Sequence, residues 1–223
     1  MTEARSHECI RLLLRAVGDG GANFVRAESL IRTYASTGGV FEADADDVVR
    51  QCGIPRRTAQ LMALMPGLAR RYMRDACGAS PILDREHKAA AYARSLFWGV
   101  RCEQFFVISL DAQYRLVEHA MIQRGTVSEL RLHPRMVVEA ALKACARAVI
   151  LAHNHPGGAC AFSVSDLDST RVALKVFAHI GIPVLDHLLV AGGDVAGMRR
   201  LAFFSGDVWP RDTDGVEARW LNK

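Results

Sequence analysis

The sequence has no Cys-x-x-Cys pair. Its six cysteines, Cys9, Cys52, Cys77, Cys102, Cys145 and Cys160, stand far apart in a chain of 223 residues. That scatter argues for reduced thiols in a cytosol, and against both a disulfide framework and a cysteine-type zinc site. No uncharged apolar run approaches the length of a membrane span. The opening MTEARSHECIRLLLRAV carries acids and only a short apolar stretch, which does not suit a signal peptide. The expectation is a cytoplasmic protein with no membrane partner. Charge excess is also lacking: 28 Lys and Arg against 24 Asp and Glu leave +4, which by itself implies no nucleic-acid partner. There is no internal repeat.

What is present is ordinary globular composition, with half the residues hydrophobic and enough length for a real core. Residues 7–73 read as helical. Ile10, Leu13, Leu14 and Val17 share one helix face; so do Phe24, Ala27, Ile31 and Tyr34, and again Leu61, Met65, Leu68 and Tyr72. Gly18-Asp19-Gly20-Gly21 and Gly38-Gly39 punctuate these helices. Pro66 is expected to kink or split the last one. ACGASPILD, from Ala76 to Asp84, has the composition of a linker, and a short helix follows at 86–96.

The period then changes. Residues 104–111 and 114–122 suit two strands joined by a tight turn at Asp111-Ala112-Gln113. A helix at 137–146, a buried strand at 148–153, a helix at 164–180 and a strand at 182–190 follow. Alternating strands and helices make this part α/β, with helices packed on a mixed sheet. The tail 206–223 reads as irregular. The division expected is a helical module over 1–78 and an α/β domain over 79–223.

LAHNHPGGACAFSVSDLDST, from Leu151 to Thr170, concentrates polar chemistry directly behind an apolar run. Side chains at i and i+2 of a strand point to one face, so His153 and His155 can converge on a point. Pro156-Gly157-Gly158 turns the chain. Ser163, three residues before Asp166, has the spacing of a helix-capping box, and that alone would explain both residues without chemistry. Yet the strand, turn and helix start bring Asp166 back toward the histidines. Two imidazoles and a carboxylate are three protein ligands, the number common in catalytic zinc sites, which keep a fourth position for water.

The string HNHPGGACAFSVSD resembles the JAMM signature, His-x-His-Pro, six residues, Ser-x-x-Asp, of zinc-dependent isopeptidases and peptidases. The asparagine between the histidines is similar to the bacterial RadC-type branch. GTVSELRLHPRMVVEAALKACARAVILAHNHPGG and DHLLV resemble that branch too, so the likeness runs through most of residues 103–205. It implies a JAMM (MPN-plus) domain with a cytidine-deaminase-like α/β/α arrangement and one Zn2+ per chain on His153, His155 and Asp166. It further implies Ser163 supporting an oxyanion, and an upstream glutamate as general acid/base, for which Glu103 is the best match. The substrate implied is a protein or peptide. Glu118, Glu129 and Glu139 are the competing acids. Strand alternation sends Asp186 and His187 to opposite faces, so at most one faces a metal. That pair reads as hydrogen-bonded at a strand's edge, His133 as a turn histidine and Cys160 as a loop residue.

DDVVRQCGIPRRTAQLMAL resembles the helix-hairpin-helix element found ahead of RadC-type catalytic halves, which grips a DNA phosphate with backbone N–H groups at a glycine turn. Here Gly53 is followed by Ile54 and then Pro55, where the motif has its second glycine. Proline has no N–H, so one phosphate donor is lost. Arg56 and Arg57 can compensate by charge, or can simply face water. Two rivals to hydrolysis therefore stand. One is a DNA-repair or mobile-element accessory protein with a structural or inactive metal site. The other is a metal-dependent nuclease, disfavoured because two histidines and one carboxylate suit zinc better than magnesium. Substrate identity and oligomeric state are open.

Overall fold

A computed structural model describes residues 2–18, 23–125, 133–201 and Trp209. The chain divides into two compact units, residues 1–72 and 73–223.

The first unit is helical: α1 (Thr2–Ala16), α2 (Asn23–Tyr34), α3 (Thr37–Glu42), α4 (Ala45–Cys52) and the start of α5 (Arg56–Ala76). The anticipated apolar faces supply its core, with Ile10, Leu14, Ala27, Leu30, Ile31, Val48, Ile54 and Met62 buried. Two expectations are corrected. Pro66 does not split α5, which runs through it; one missing N–H costs a 21-residue helix a single bond, and the turns on either side survive. Gly38-Gly39 lies inside α3 rather than between helices. A Cβ on Gly39 would stand 2.1 Å from the Tyr34 carbonyl oxygen, so that glycine permits a close backbone approach.

In the second unit five strands form one mixed sheet in the order β2-β1-β3-β4-β5. They are β1 (Glu103–Leu110), β2 (Leu116–Gly125), β3 (Ala148–Asn154), β4 (Val184–Ala191) and β5 (Asp194–Gly197). Among the described residues the β3–β4 pair is parallel and the other pairs are antiparallel. Helix α6 (Glu86–Phe97) covers one face, joined in its core by Phe106, Ile108, Ile150, Leu188 and Trp209. Helices α7 (Pro134–Lys143) and α8 (Val164–His179) cover the other, over Phe105, Val107, Val149 and Leu151. The result is the expected α/β architecture with helices on both faces.

The stretch read as a linker is instead partly built into this unit. Leu83 is buried, its N–H bonds to the Tyr114 carbonyl, and Ile82 bridges to Arg115 at the mouth of the first hairpin. Asp111 shapes that hairpin by accepting the N–H groups of Gln113 and Arg115. The short β5 was not anticipated. The tail 206–223 lies outside the described residues except for Trp209, which is buried. Among the described residues no helix is long and apolar enough to cross a membrane.

Candidate metal centre

On β3 the odd-numbered residues Val149, Leu151 and His153 face α7 and α8. His155 lies just past the strand's last residue, but its N–H still bonds the Val190 carbonyl of β4. The ladder thus extends far enough to keep both imidazoles on one face. Gly157 then takes a left-handed conformation (φ +68°) in the turn. Ser163 caps α8, and Asp166 stands in that helix's first turn.

The three candidate ligands meet. Nε2 of His153 and Nε2 of His155 are 3.2 Å apart. Oδ1 of Asp166 lies 3.4 Å from His153 Nε2, and its Oδ2 lies 3.6 Å from His155 Nε2. A tetrahedron with arms of about 2.0–2.1 Å, the zinc–nitrogen and zinc–oxygen lengths, has edges of about 3.3 Å. The donor set and its spacing fit a zinc ion. Among the described residues these three are the one group of at least three His, Cys, Asp or Glu side chains spaced to hold a metal.

The capping box and the ligand reading coexist. Ser163 Oγ accepts the Asp166 N–H, while Asp166 Oδ2 accepts both the Ser163 N–H and its hydroxyl, each at 2.7 Å. The cap holds the carboxylate in the orientation that faces the imidazoles. Burial raises this carboxyl, and the two hydrogen bonds it accepts from Ser163 pull the other way.

Glu103 opens β1 on the same face as Phe105 and Val107. Phe105 pairs with His153, so continuing the antiparallel register by two residues sets Glu103 opposite His155. It is buried and lines one cleft with His153, His155, Ser163 and Asp166. Burial raises its carboxyl above the ordinary value, against the pull of the two histidines. Of its competitors, Glu118 is exposed on β2, and Glu139 is exposed and paired with Lys143. Glu129 lies outside the described residues.

Sequence reasoning passed over one residue beside the cleft and misplaced a second. Asn154, between the two histidines, donates from Nδ2 to the Cys102 carbonyl and accepts the Gln104 N–H on Oδ1. It thereby holds the backbone on both sides of Glu103. The second is His187. The expectation of a pair at a strand's edge is wrong for it, because β4 lies between β3 and β5. His187 is buried beneath the site, with Nε2 at 2.8 Å from Nδ1 of His153. Asp186 faces the other way, as alternation requires. Its Oδ1 accepts the N–H groups of His187 and Arg199. The rings of Phe105 and Phe162 pack against both His153 and His187. His133 begins α7 and is exposed, and Cys160 sits in the loop before α8.

Residues 83–203, more than half of the chain, match the RadC-like JAB domain. The chain belongs to the RadC family. A UPF0758 protein of Burkholderia thailandensis is 34% identical over 84% of this chain and 71% of its own length. One from Burkholderia cenocepacia is 33% identical over 86% and 75%. One from Bordetella petrii is 30% identical over 88% of each. The matched JAB domain spans every element that carries the cleft.

Ahead of it, in the helical unit, the hairpin expected from the RadC resemblance is present as α4, a turn and α5. Gly53 ends α4 in a left-handed conformation (φ +61°). Ile54 is buried, whereas Gly53, Pro55, Arg56 and Arg57 are exposed. Arg56 is paired with Asp46 at 3.1 Å.

Proposed function

We propose that this chain is a zinc-dependent hydrolase of peptide or isopeptide bonds. The carrying observation is the triangle of His153 Nε2, His155 Nε2 and an Asp166 carboxylate, with edges of 3.2–3.6 Å, in a cleft that also holds Glu103. His153, His155 and Asp166 would hold the ion. Zinc in such a site lowers the pKa of a water to about 7 and polarises a carbonyl.

The chain's own groups supply the rest. Glu103, buried and raised, is suited to take a proton from the attacking water and deliver it to the leaving amine. Asn154 keeps that carboxylate's backbone in place. The Ser163 hydroxyl lines the cleft; its one proton rests on Asp166 Oδ2, and rotation about Cβ–Oγ would turn it to the oxygen that gains negative charge. Phe105 and Phe162 give the imidazoles an apolar wall that limits water on that side.

The experiment is a comparison of the full chain with Glu103→Gln, each incubated with a mixed peptide library read by mass spectrometry. The variant is expected to retain zinc and to lose cleavage. Equal cleavage by both would remove Glu103 from the chemistry.

A second reading, DNA binding through the α4–α5 hairpin, is favoured by the exposed left-handed turn at Gly53 beside Arg57. The two readings are compatible in one chain.

A further inference from the structure

Behind the histidine pair runs a chain of donors and acceptors whose direction can be read from one end. The backbone carbonyl of Asp166 has no proton to give. Thr170 Oγ1 lies 2.6 Å from it, so the hydroxyl proton points there. The same oxygen lies 2.5 Å from Nδ1 of His187. Having spent its proton, it can only accept, which requires His187 to be protonated on Nδ1.

His187 is 1% exposed. Its two ring nitrogens meet a hydroxyl and an imidazole, not a carboxylate, so a charged ring there would lack compensation. Its Nε2 is therefore a bare acceptor. The donor to it, 2.8 Å away, is Nδ1 of His153. His153 is left with an unprotonated Nε2, the atom 3.2 Å from His155 and 3.4 Å from Asp166.

We propose that His187 and Thr170 are positioning residues for the metal site. They force His153 into the tautomer that offers a bare Nε2. Because the chain ends on the carbonyl of Asp166, it also ties β3, β4 and α8 into one preassembled ligand set. The proposal rests on His153, His155 and Asp166 being the metal ligands. A ligand imidazole commonly donates its other N–H to a carboxylate, carbonyl or water. Here a second imidazole takes that place and passes the constraint on through a threonine. All the members, Thr170, His187 and His153, are buried, so water does not compete for these contacts.

The test uses the full chain and two variants. Thr170→Val keeps the side chain's shape without its hydroxyl, and Thr170→Ser restores the hydroxyl. The first readout is nitrogen-15 NMR of the histidine rings without metal. Wild type is expected to carry protons on Nδ1 of both His153 and His187, and Thr170→Val to give mixed tautomers. The second is zinc affinity by competition with a chelator. Thr170→Val should bind about tenfold more weakly, and Thr170→Ser within about twofold of wild type, since outer partners are typically worth about 10–100-fold. A wild-type His153 protonated on Nε2, or undiminished zinc affinity in Thr170→Val, overturns the proposal. A wild-type chain that binds no zinc would instead defeat the ligand assignment, and the ring tautomers would still decide the relay.

Discussion

Oδ1 of Asn154 accepts the backbone N–H of Gln104 at 2.8 Å. With the companion bond from Nδ2 to the Cys102 carbonyl, this side chain takes the place of a strand partner where the β1–β3 ladder ends. Asn154 is buried, so replacing it by alanine strands an N–H and a carbonyl. Asn154→Ala is expected to cost about 1–3 kcal/mol in denaturant unfolding, with zinc stoichiometry unchanged. Stability equal to wild type would mean that the clamp holds nothing.

Ser163 has two roles in this account, and they separate by readout. As the helix cap it contributes about 1 kcal/mol, which Ser163→Ala should lose in thermal or chemical unfolding. Ser163→Thr keeps a hydroxyl and should recover most of that. Peptide cleavage should fall further in Ser163→Ala than the lost stability explains. Wild-type cleavage in a destabilised variant would leave Ser163 as a cap alone.

Asp186 gives the protein a pH dependence of defined sign. Burial pushes its carboxyl up to about 7, against the lowering effect of the N–H groups of Arg199 and His187. An unfolded aspartate titrates at about 3.9. Between those values the native state holds a proton that the unfolded chain has released, so stability falls as pH rises. The stabilisation is full below about pH 4 and is lost as pH climbs through about 7. Asp186→Asn keeps an acceptor for both N–H groups and cannot ionise. Denaturation curves at about pH 5 and pH 8 should converge for that variant relative to wild type; parallel losses would contradict this.

The two arginines at the α4–α5 hairpin differ in their surroundings. Arg56 is paired with Asp46, and Arg57 is exposed beside the Gly53 turn. If the hairpin grips phosphates, binding of the full chain to a random duplex should weaken steeply with salt. Arg57→Ala should reduce the log–log slope by about 1. A slope unchanged in Arg57→Ala would remove the proposed contact.

The periodicities carried most of the fold. Runs of β-branched and aromatic residues marked β1 and β3, and the 3.6-residue spacing marked the helices. What escaped was set by distant partners. Gly197, at the end of β5, packs so close to Asp186 that a Cβ would stand 2.6 Å from its carboxylate. A local reading sees only a glycine-rich segment there. Alternation separated Asp186 from His187 correctly, but only the strand order decides which of them lies under the histidine pair. The convergence of His153, His155 and Asp166 was legible because their spacing is local to one strand, turn and helix. Glu103 needed the family resemblance, although its shared parity with Phe105 and Val107 on one strand was a usable signal. The role of Asn154 had no local signal at all, since its partners lie 50 and 52 residues away.

The measurement that tests the central claim most directly is the metal content of the purified full chain beside His155→Ala. The account predicts about one zinc per chain in the first and essentially none in the second. Equal zinc in both, or none in either, would contradict it.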